Sequence, residues 1–290
     1  MNRAWPPPKW ESGIGSILER EGIFCVHRVN RRGMRGLPHR HCGVEITYCE
    51  RGSGTAFFGN VGVPLRAGTL LVFDGLQPHH IVVNTEYMRW NSCVDFPAWY
   101  PSIRWGDGVD LAGCLPFAAM SLSAAEARAV TALFHQIRLE ASRTREGSQH
   151  RLAALLRGLL QCICEIRGRS RGGISRPQGG VPDAPCAVLR YIEHHLAEDL
   201  SITALAERFH YSRTHLWRMI KDATGQSPVA YIRTRRLARA QALLRQTDLP
   251  VQEIGEIVGL PNAAYFCRLF KEQLGSSPQH FRRHARRAAM

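Results

Sequence analysis

RMIKDATGQSP at residues 218–228 returns fifty positions later as RLFKEQLGSSP at residues 268–278. Arg218, Lys221, Gly225, Ser227 and Pro228 thereby reappear as Arg268, Lys271, Gly275, Ser277 and Pro278. Upstream, Ile202, Leu205 and Ala206 recur at a spacing of forty-nine as Val251, Ile254 and Gly255, and the one-residue difference falls in a turn. Each copy reads as a short helix with a small residue at a close crossing, a tight turn and a longer helix, the outline of a helix-turn-helix. A helical stretch from Pro228 to Gln246, with Tyr231, Leu237, Ala240, Leu243 and Leu244 on its inner side, joins the copies. At 1.5 Å per residue it spans about 28 Å, close to the ~34 Å between successive major-groove faces of B-DNA, so two readers share one face of a duplex.

Helical geometry sorts the reading residues. In the first copy Leu216, Met219 and Ile220 form a buried stripe, which leaves Arg213, Thr214, Trp217, Arg218 and Lys221 facing outward. Arg218 suits bidentate contact with a guanine edge and Thr214 or Trp217 a thymine methyl, whereas Arg213 and Lys221 suit phosphates. In the second copy the outward set is Asn262, Ala263, Ala264, Cys267, Arg268 and Lys271. Two alanines and a cysteine offer few hydrogen bonds, so most specificity is expected from the first copy.

Upstream of the repeat, residues 169–183 are rich in Arg, Gly, Ser and Pro without an apolar period, and read as a linker. Before them, β-branched and aromatic runs (Val44–Cys49, Thr55–Phe58, Thr69–Phe73, His80–Val83, Met88–Val94) separated by Gly, Pro and Asn indicate an antiparallel sandwich or barrel. Ser123 and Glu126 form a capping box opening a helix with Val130, Leu133, Phe134 and Ile137 on one face. In the helix after it Leu152, Leu156, Leu159, Ile163 and Ile166 are spaced 4, 3, 4, 3. That is a coiled-coil seam, open either to dimerisation or to packing within its own domain.

Over 290 residues, 44% hydrophobic and 21% charged residues exclude general disorder, and the length suits two domains. The longest apolar runs fall short of a membrane span, and nine scattered cysteines suit free thiols in a reducing cytoplasm, so a cytoplasmic location away from membranes is expected. The net charge of +14 divides as +8 over residues 1–182 and +6 over residues 183–290. It is concentrated locally at Arg213, Arg218, Lys221, Arg233, Arg235, Arg236 and Arg239 and at Arg282, Arg283, Arg286 and Arg287, a pattern for a polyanion.

From about Ala184 to Arg283 the chain resembles the AraC/XylS-type transcriptional regulators. The match includes Leu200-Ser201-Ile202, Leu205-Ala206, Thr224 to Pro228, Arg236-Leu237, Glu253-Ile254, Val258-Gly259, Tyr265-Phe266, Phe270-Lys271 and Gly275 to Pro278. Departures are Pro250, where the family carries a Ser or Thr cap, and Gly255 and Leu260 in place of Ala and Phe. Pro250 is expected at the first helical position, with Thr247 or Asp248 as alternative caps.

In the N-terminal half Gly33, His39, His41, Glu45 and Gly52 fit the first motif of the cupin barrels, and Gly68 with His79 partly fits the second. In metal cupins such histidines and the glutamate converge on an ion, because alternate strand residues share a face. The resemblance to AraC-type sensors implies instead a motif kept without metal or other cofactor, in a barrel that holds a small effector. The expected lining is drawn from His39, His41, Glu45, Tyr48, Phe73, His79, Trp90 and Trp99, residue types that suit a sugar or other hydroxylated metabolite.

The expected fold is therefore α+β. Residues 1–122 form a cupin-like β-barrel, 123–168 a helical dimerisation or relay segment, 169–183 a linker, and 184–290 an all-α domain with two helix-turn-helix units. The expected function is sequence-specific, effector-responsive transcription regulation, with activation the expected outcome, and not an enzymatic one. Its partners are double-stranded promoter DNA, a small-molecule effector, a second copy of the chain in a homodimer, and RNA polymerase. The competing readings are a metal-dependent cupin enzyme carrying a DNA-binding domain, and an architectural DNA-binding protein without effector control.

Overall fold

The computed structural model describes residues 9–10, 23–41, 43–59, 61–94, 117–142, 148–169 and 184–287. These fall into two compact units, the second beginning its helical run at Ala184. Apart from Arg169, the expected linker lies outside the described residues, as does Trp99.

The first unit contains two five-stranded sheets. One has the order β1 (Lys9–Trp10), β3 (His39–Arg40), β8 (His79–Val83), β5 (Ser53–Phe58), β6 (Val61–Arg66). The other runs β10 (Ala118–Ser121), β7 (Thr69–Asp74), β4 (Val44–Arg51), β9 (Tyr87–Val94), β2 (Ile23–Asn30). Their inner faces share one core, in which Cys49, Leu71, Phe73 and Tyr87 of the second sheet meet Ala56, Phe58, Val63, Leu65 and Val83 of the first. Gly62 and Pro64 hide β6 from a composition-based reading. Pro64 is tolerated because β6 pairs only with β5 and forms the sheet's edge, where a missing N–H breaks no ladder.

Two helices follow. In α1 (Ala124–Ala141) the Ser123 hydroxyl accepts from the Glu126 N–H while the Glu126 carboxylate accepts from the Ser123 N–H, the expected capping box. Val130, Phe134 and Ile137 are fully buried, and Phe134 stacks on Trp90 of β9 at 5.9 Å. In α2 (Ser148–Arg169) all five residues of the 4, 3, 4, 3 stripe are buried within this single chain, none more than 4% exposed. The dimerisation reading of that seam is thereby corrected, since it is packed inside its own unit and offers no free coiled-coil face.

The second unit realises the repeat. After α3 (Ala184–His194), the first copy is α4 (Ile202–Phe209) and α5 (Arg213–Thr224), followed by the connecting α6 (Pro228–Gln246). The second copy is α7 (Val251–Ile257) and α8 (Ala263–Leu274), and α9 (Pro278–Arg287) ends the run. The repeated polar residues are its punctuation. Ser212 and Asn262 cap the reading helices α5 and α8, and Gly225 and Gly275 both end them at φ 75°. Ser227 caps α6 with Pro228 inside its first turn. Pro250, however, is the N-cap residue of α7 itself, and no side chain caps that helix, so neither Thr247 nor Asp248 fills the role. A side-chain cap contributes about 1 kcal/mol, which α7 forgoes.

The turns explain the other family departures. Tyr211 N–H donates to Ala206 O in the first copy, as Leu260 N–H does to Gly255 O in the second. A Cβ on Gly255 would lie 2.8 Å from the Leu260 carbonyl oxygen, so only glycine fits this tighter turn. The left-handed turn residue is His210 at φ 55° in one copy and Gly259 at φ 78° in the other. At Gly259 a Cβ would stand 2.2 Å from Leu196 O and 2.8 Å from the Arg236 guanidinium.

Two left-handed glycines therefore separate backbone strain from close packing. Gly225→Ala, with open space around its added Cβ, is expected to lose about 1–2 kcal/mol. Gly259→Ala is expected to lose clearly more, because it adds a collision with backbone, and urea denaturation of the full-length protein measures the difference.

Candidate functional site

Strand pairing assembles a polar cluster between the two sheets. His39 on β3 lies opposite His79 on β8, their rings 4.4 Å apart. Glu45 on β4 lies opposite Cys93 on β9, and Thr47 opposite Asn91. His41 follows β3, its N–H donating to Gly75 O, and its ring packs so tightly on Gly75 that an added Cβ would lie 2.4 Å from two ring atoms. His41, Glu45, His79, Asn91 and Cys93 are all buried, and His39 is half-buried.

One carboxylate organises the cluster. Glu45 Oε2 lies 3.1 Å from His41 Nε2 and 3.2 Å from His79 Nε2, while Oε1 accepts from Asn91 at 2.6 Å and from the Thr47 hydroxyl at 3.0 Å. Burial opposes the charge on Glu45, but the hydrogen bonds and charges of His41 and His79 outweigh it and hold its pKa well below the usual range. Burial likewise opposes a charge on His41, and neighbouring Cys93 and Glu45 outweigh it, holding its pKa well above the usual value. Burial dominates at His79, whose pKa falls to about 4 despite Glu45, and at Cys93, whose thiol is pushed up despite His41. The centre is thus a histidine–carboxylate pair in which each partner favours the other's charge, beside an imidazole and a thiol whose charged forms burial disfavours.

The expected lining divides on strand parity. His39, His41, Glu45 and His79 come together, with Phe73 edge-on to His79 at 4.6 Å. Tyr48 and Trp90 do not join them, and their assignment to the effector site is corrected. Tyr48 is three positions from Glu45 on one strand and Trp90 three from Cys93 on the other, odd steps that reverse the face. They pair with each other on the outer side, where Trp90 stacks on His27 at 4.3 Å and meets Phe134 of α1. Conversely Thr47, Gly75, Asn91 and Cys93 belong to the site and were missed. The even steps from Glu45 to Thr47 and from Asn91 to Cys93 were the available signal, usable only once β4 and β9 are known to pair.

In the second unit Arg213, Thr214, Trp217, Arg218 and Lys221 are exposed along α5, Trp217 at 43%, with Lys221 Nζ 5.8 Å from the Trp217 ring centroid. On α8 Ala264, Arg268 and Lys271 are exposed, and Ala263 and Cys267 are half-buried. Asn262 is exposed, but its side-chain oxygen accepts from the Tyr265 N–H as the helix cap, which removes its acceptor from base reading. Tyr265, absent from the expected set, is 43% exposed under the Arg268 guanidinium.

Part of the basic run serves the fold. Arg235 is buried and its Nε donates to both oxygens of buried Glu193 at 2.7 and 2.8 Å, and Tyr231 donates to the same carboxylate. Arg236 donates to Leu196 O and Glu198 O at 2.9 Å. Arg282 donates to Leu249 O. The side chains of Arg286 and Arg287 lie outside the described residues.

A family model described as an AraC-like ligand binding domain matches residues 22–160, and one described as a helix-turn-helix domain matches residues 205–284. The chain belongs to the AraC-type family of transcriptional regulators. It is 27% identical over 251 residues to YfiF, an uncharacterized HTH-type transcriptional regulator of Bacillus subtilis (strain 168), covering 85% of this chain and 78% of that one. To the right origin-binding protein of Escherichia coli (strain K12) it is 38% identical over 96 residues, and the match covers only 33% of either protein. Among solved structures, the DNA-binding domain of AdpA, a global transcriptional factor in complex with a target DNA, is 31% identical. That match covers 36% of this chain and 95% of the other at a TM-score of 0.35. Among the described residues no helix is long and apolar enough to cross a membrane.

As an AraC-type regulator the chain thus pairs a ligand-binding unit with a DNA-binding one. Glu45→Ala would strand the His41 cation in the core, and a loss of about 3–5 kcal/mol is expected. Glu50→Ala breaks the half-exposed His27–Glu50 pair instead, and a loss of at most about 1 kcal/mol is expected. Chemical denaturation of the two variants side by side tests this ranking.

Proposed function

We propose that the chain is a promoter-binding activator whose N-terminal unit senses a small polar effector at His39, His41, Glu45 and His79. The observation that carries this reading is one chain holding both a buried polar cluster between two sheets and two exposed reading helices built on one repeat. Imidazole, carboxylate, amide and hydroxyl groups in such a cluster receive a hydroxylated ligand such as a sugar, or a cation. The domain division at residues 122, 168 and 183 follows the change from strands to helices to linker composition. The effector acts by favouring one arrangement of the two units, to the extent that it binds that arrangement more tightly.

On DNA, Arg218 pairs with a guanine edge, Thr214 and Trp217 contact a thymine methyl, and Arg213 and Lys221 hold phosphates. Ala263, Ala264 and Cys267 of α8 touch methyl groups, Tyr265 packs beside them, and Arg268 and Lys271 anchor the backbone. As an activator the protein contacts RNA polymerase from the promoter. It acts as a homodimer, through the outer side of α1 and α2 and not the buried seam. A groove of about 340 Å³ opens there, with Leu139, Ala154 and Leu155 as its apolar lining beside Glu140 and Arg151.

A binding-site selection tests the reading assignment. Trp217→Ala or Arg218→Ala is expected to cost about 1–3 kcal/mol of discrimination at one operator position, and Arg268→Ala to weaken binding with little change of preference. Equal broadening by Arg268→Ala would overturn it. Lys221→Ala should lower the slope of log affinity against log salt by about 1, whereas Arg235→Ala should reduce stability and leave that slope alone.

A further inference from the structure

Where β2 ends and β9 begins stand four polar side chains that neither the fold nor the Glu45 cluster uses. Arg28 lies directly opposite Arg89 and Asn30 directly opposite Tyr87, two cross-strand pairs at successive positions of one face. Cys49, the partner of Arg89 on β4, is fully buried in the shared core, so this is the inner face of the sheet. Both arginines lie along it, the Arg28 guanidinium 5.9 Å from the ring centroid of Phe24 and that of Arg89 5.9 Å from the centroid of Tyr87, each an even step away. The block is a separate place from the cluster. At about 3.4 Å per residue Arg89 stands ~7 Å from Asn91 and ~14 Å from Cys93 along β9.

Three of the four residues keep a buried polar atom that no protein group satisfies: Nε of Arg89, the hydroxyl of Tyr87 and Oδ1 of Asn30. Tyr87 is 0% exposed. Each such atom costs free energy, and three at adjoining positions on one face need an explanation that packing alone does not supply. Like charges directly opposite each other on a sheet also repel, and among the described residues no ion pair joins Arg28 or Arg89 to a carboxylate. Arg28 is exposed and Arg89 and Asn30 are half-buried, so the block is reached from β2, which forms the edge of its sheet. Exposed Arg31, Arg32 and Arg35 follow, and no acidic residue occurs from Arg28 to Val44, which draws an anion toward that edge.

An anion between the two guanidinium groups turns their repulsion into attraction, and the planar fork of arginine matches a carboxylate. The second pair selects what that carboxylate carries. A carboxylate alone presents only acceptors, whereas a hydroxyl both donates and accepts. It therefore satisfies the Asn30 amide, whichever end faces it, together with the Tyr87 hydroxyl. We infer that this block is a binding site for a small hydroxy acid, its carboxylate between Arg28 and Arg89 and its neighbouring hydroxyl between Asn30 and Tyr87. The block stands apart from the Glu45 cluster, and its occupancy is independent of the effector reading given there.

The test titrates the full-length protein by calorimetry with L-lactate, L-malate and D-gluconate, beside their hydroxyl-free counterparts propionate, succinate and hexanoate, and with D-glucose and inorganic phosphate. At least one hydroxy acid is expected to bind at one equivalent and about tenfold or more tighter than its counterpart, with D-glucose unable to displace it. Tyr87→Phe keeps the ring and removes the hydroxyl. Because Tyr87 lies in the core, Arg28→Ala at the exposed edge is the companion variant, and each should weaken binding about tenfold or more. His39→Ala should leave it unchanged. No binding by any of the three hydroxy acids, or unchanged binding in Arg28→Ala, overturns the site. Equal affinity for the hydroxyl-free acid or for phosphate, or unchanged binding in Tyr87→Phe, overturns its assignment to a hydroxy acid. A loss in His39→Ala as large as in Arg28→Ala puts the anion in the Glu45 cluster and overturns the separate site.

Discussion

A carboxylate taken out of water must find a cation and hydrogen-bond donors or lose its charge, and each unit of this chain is arranged around one such group. In the first unit Glu45 bridges the two sheets, held by His41 from the link between them, His79 from one sheet and Asn91 from the other. In the second, Glu193 of α3 is held by Arg235 and Tyr231 of α6, which fixes the leading helix on the connecting one. The cost of leaving either charge unpaired makes both contacts stringent constraints on packing. Their consequences differ. The Arg235–Glu193 pair is closed by direct donation into both carboxylate oxygens, whereas the Glu45 carboxylate is shared among two imidazoles, an amide and a hydroxyl.

The DNA-binding unit shows how one sequence repeat yields two unequal copies. The caps and left-handed ends are the same in both, so both reading helices form and stop alike. The turns are not the same. His210 stands free enough to carry a side chain, whereas Gly259 meets Leu196 O and Arg236, the residue whose donors hold the loop before α4. Close contact at that point leaves the two copies little freedom to move independently, which suits two readers set at a fixed spacing.

Legibility in the sequence followed the range of the interactions. The capping box at Ser123, the reading faces of α5 and α8 and the burial of the α2 stripe follow from helical periodicity, which a chain reports about itself. Whether that stripe met a second copy or its own unit did not follow, because a seam looks alike against either partner. Tyr48 and Trp90 were assigned to the cavity by residue type although each lies an odd number of steps from a site residue, and Arg235 was counted with the DNA-facing charge because composition does not register burial. Cys93 and Asn91 carried no signal at all until β9 was paired with β4.

By itself, then, the sequence determined the two-unit α+β division, the doubled helix-turn-helix, its caps and the outward residues of its reading helices. Each of these rests on contacts within a few residues or on an exact repeat. The tertiary structure alone decided which strand faces meet, and so which of the expected residues surround Glu45 and which arginines remain for DNA. Strand register joins residues nearly fifty positions apart, as Glu45 to Cys93, and nothing local encodes it.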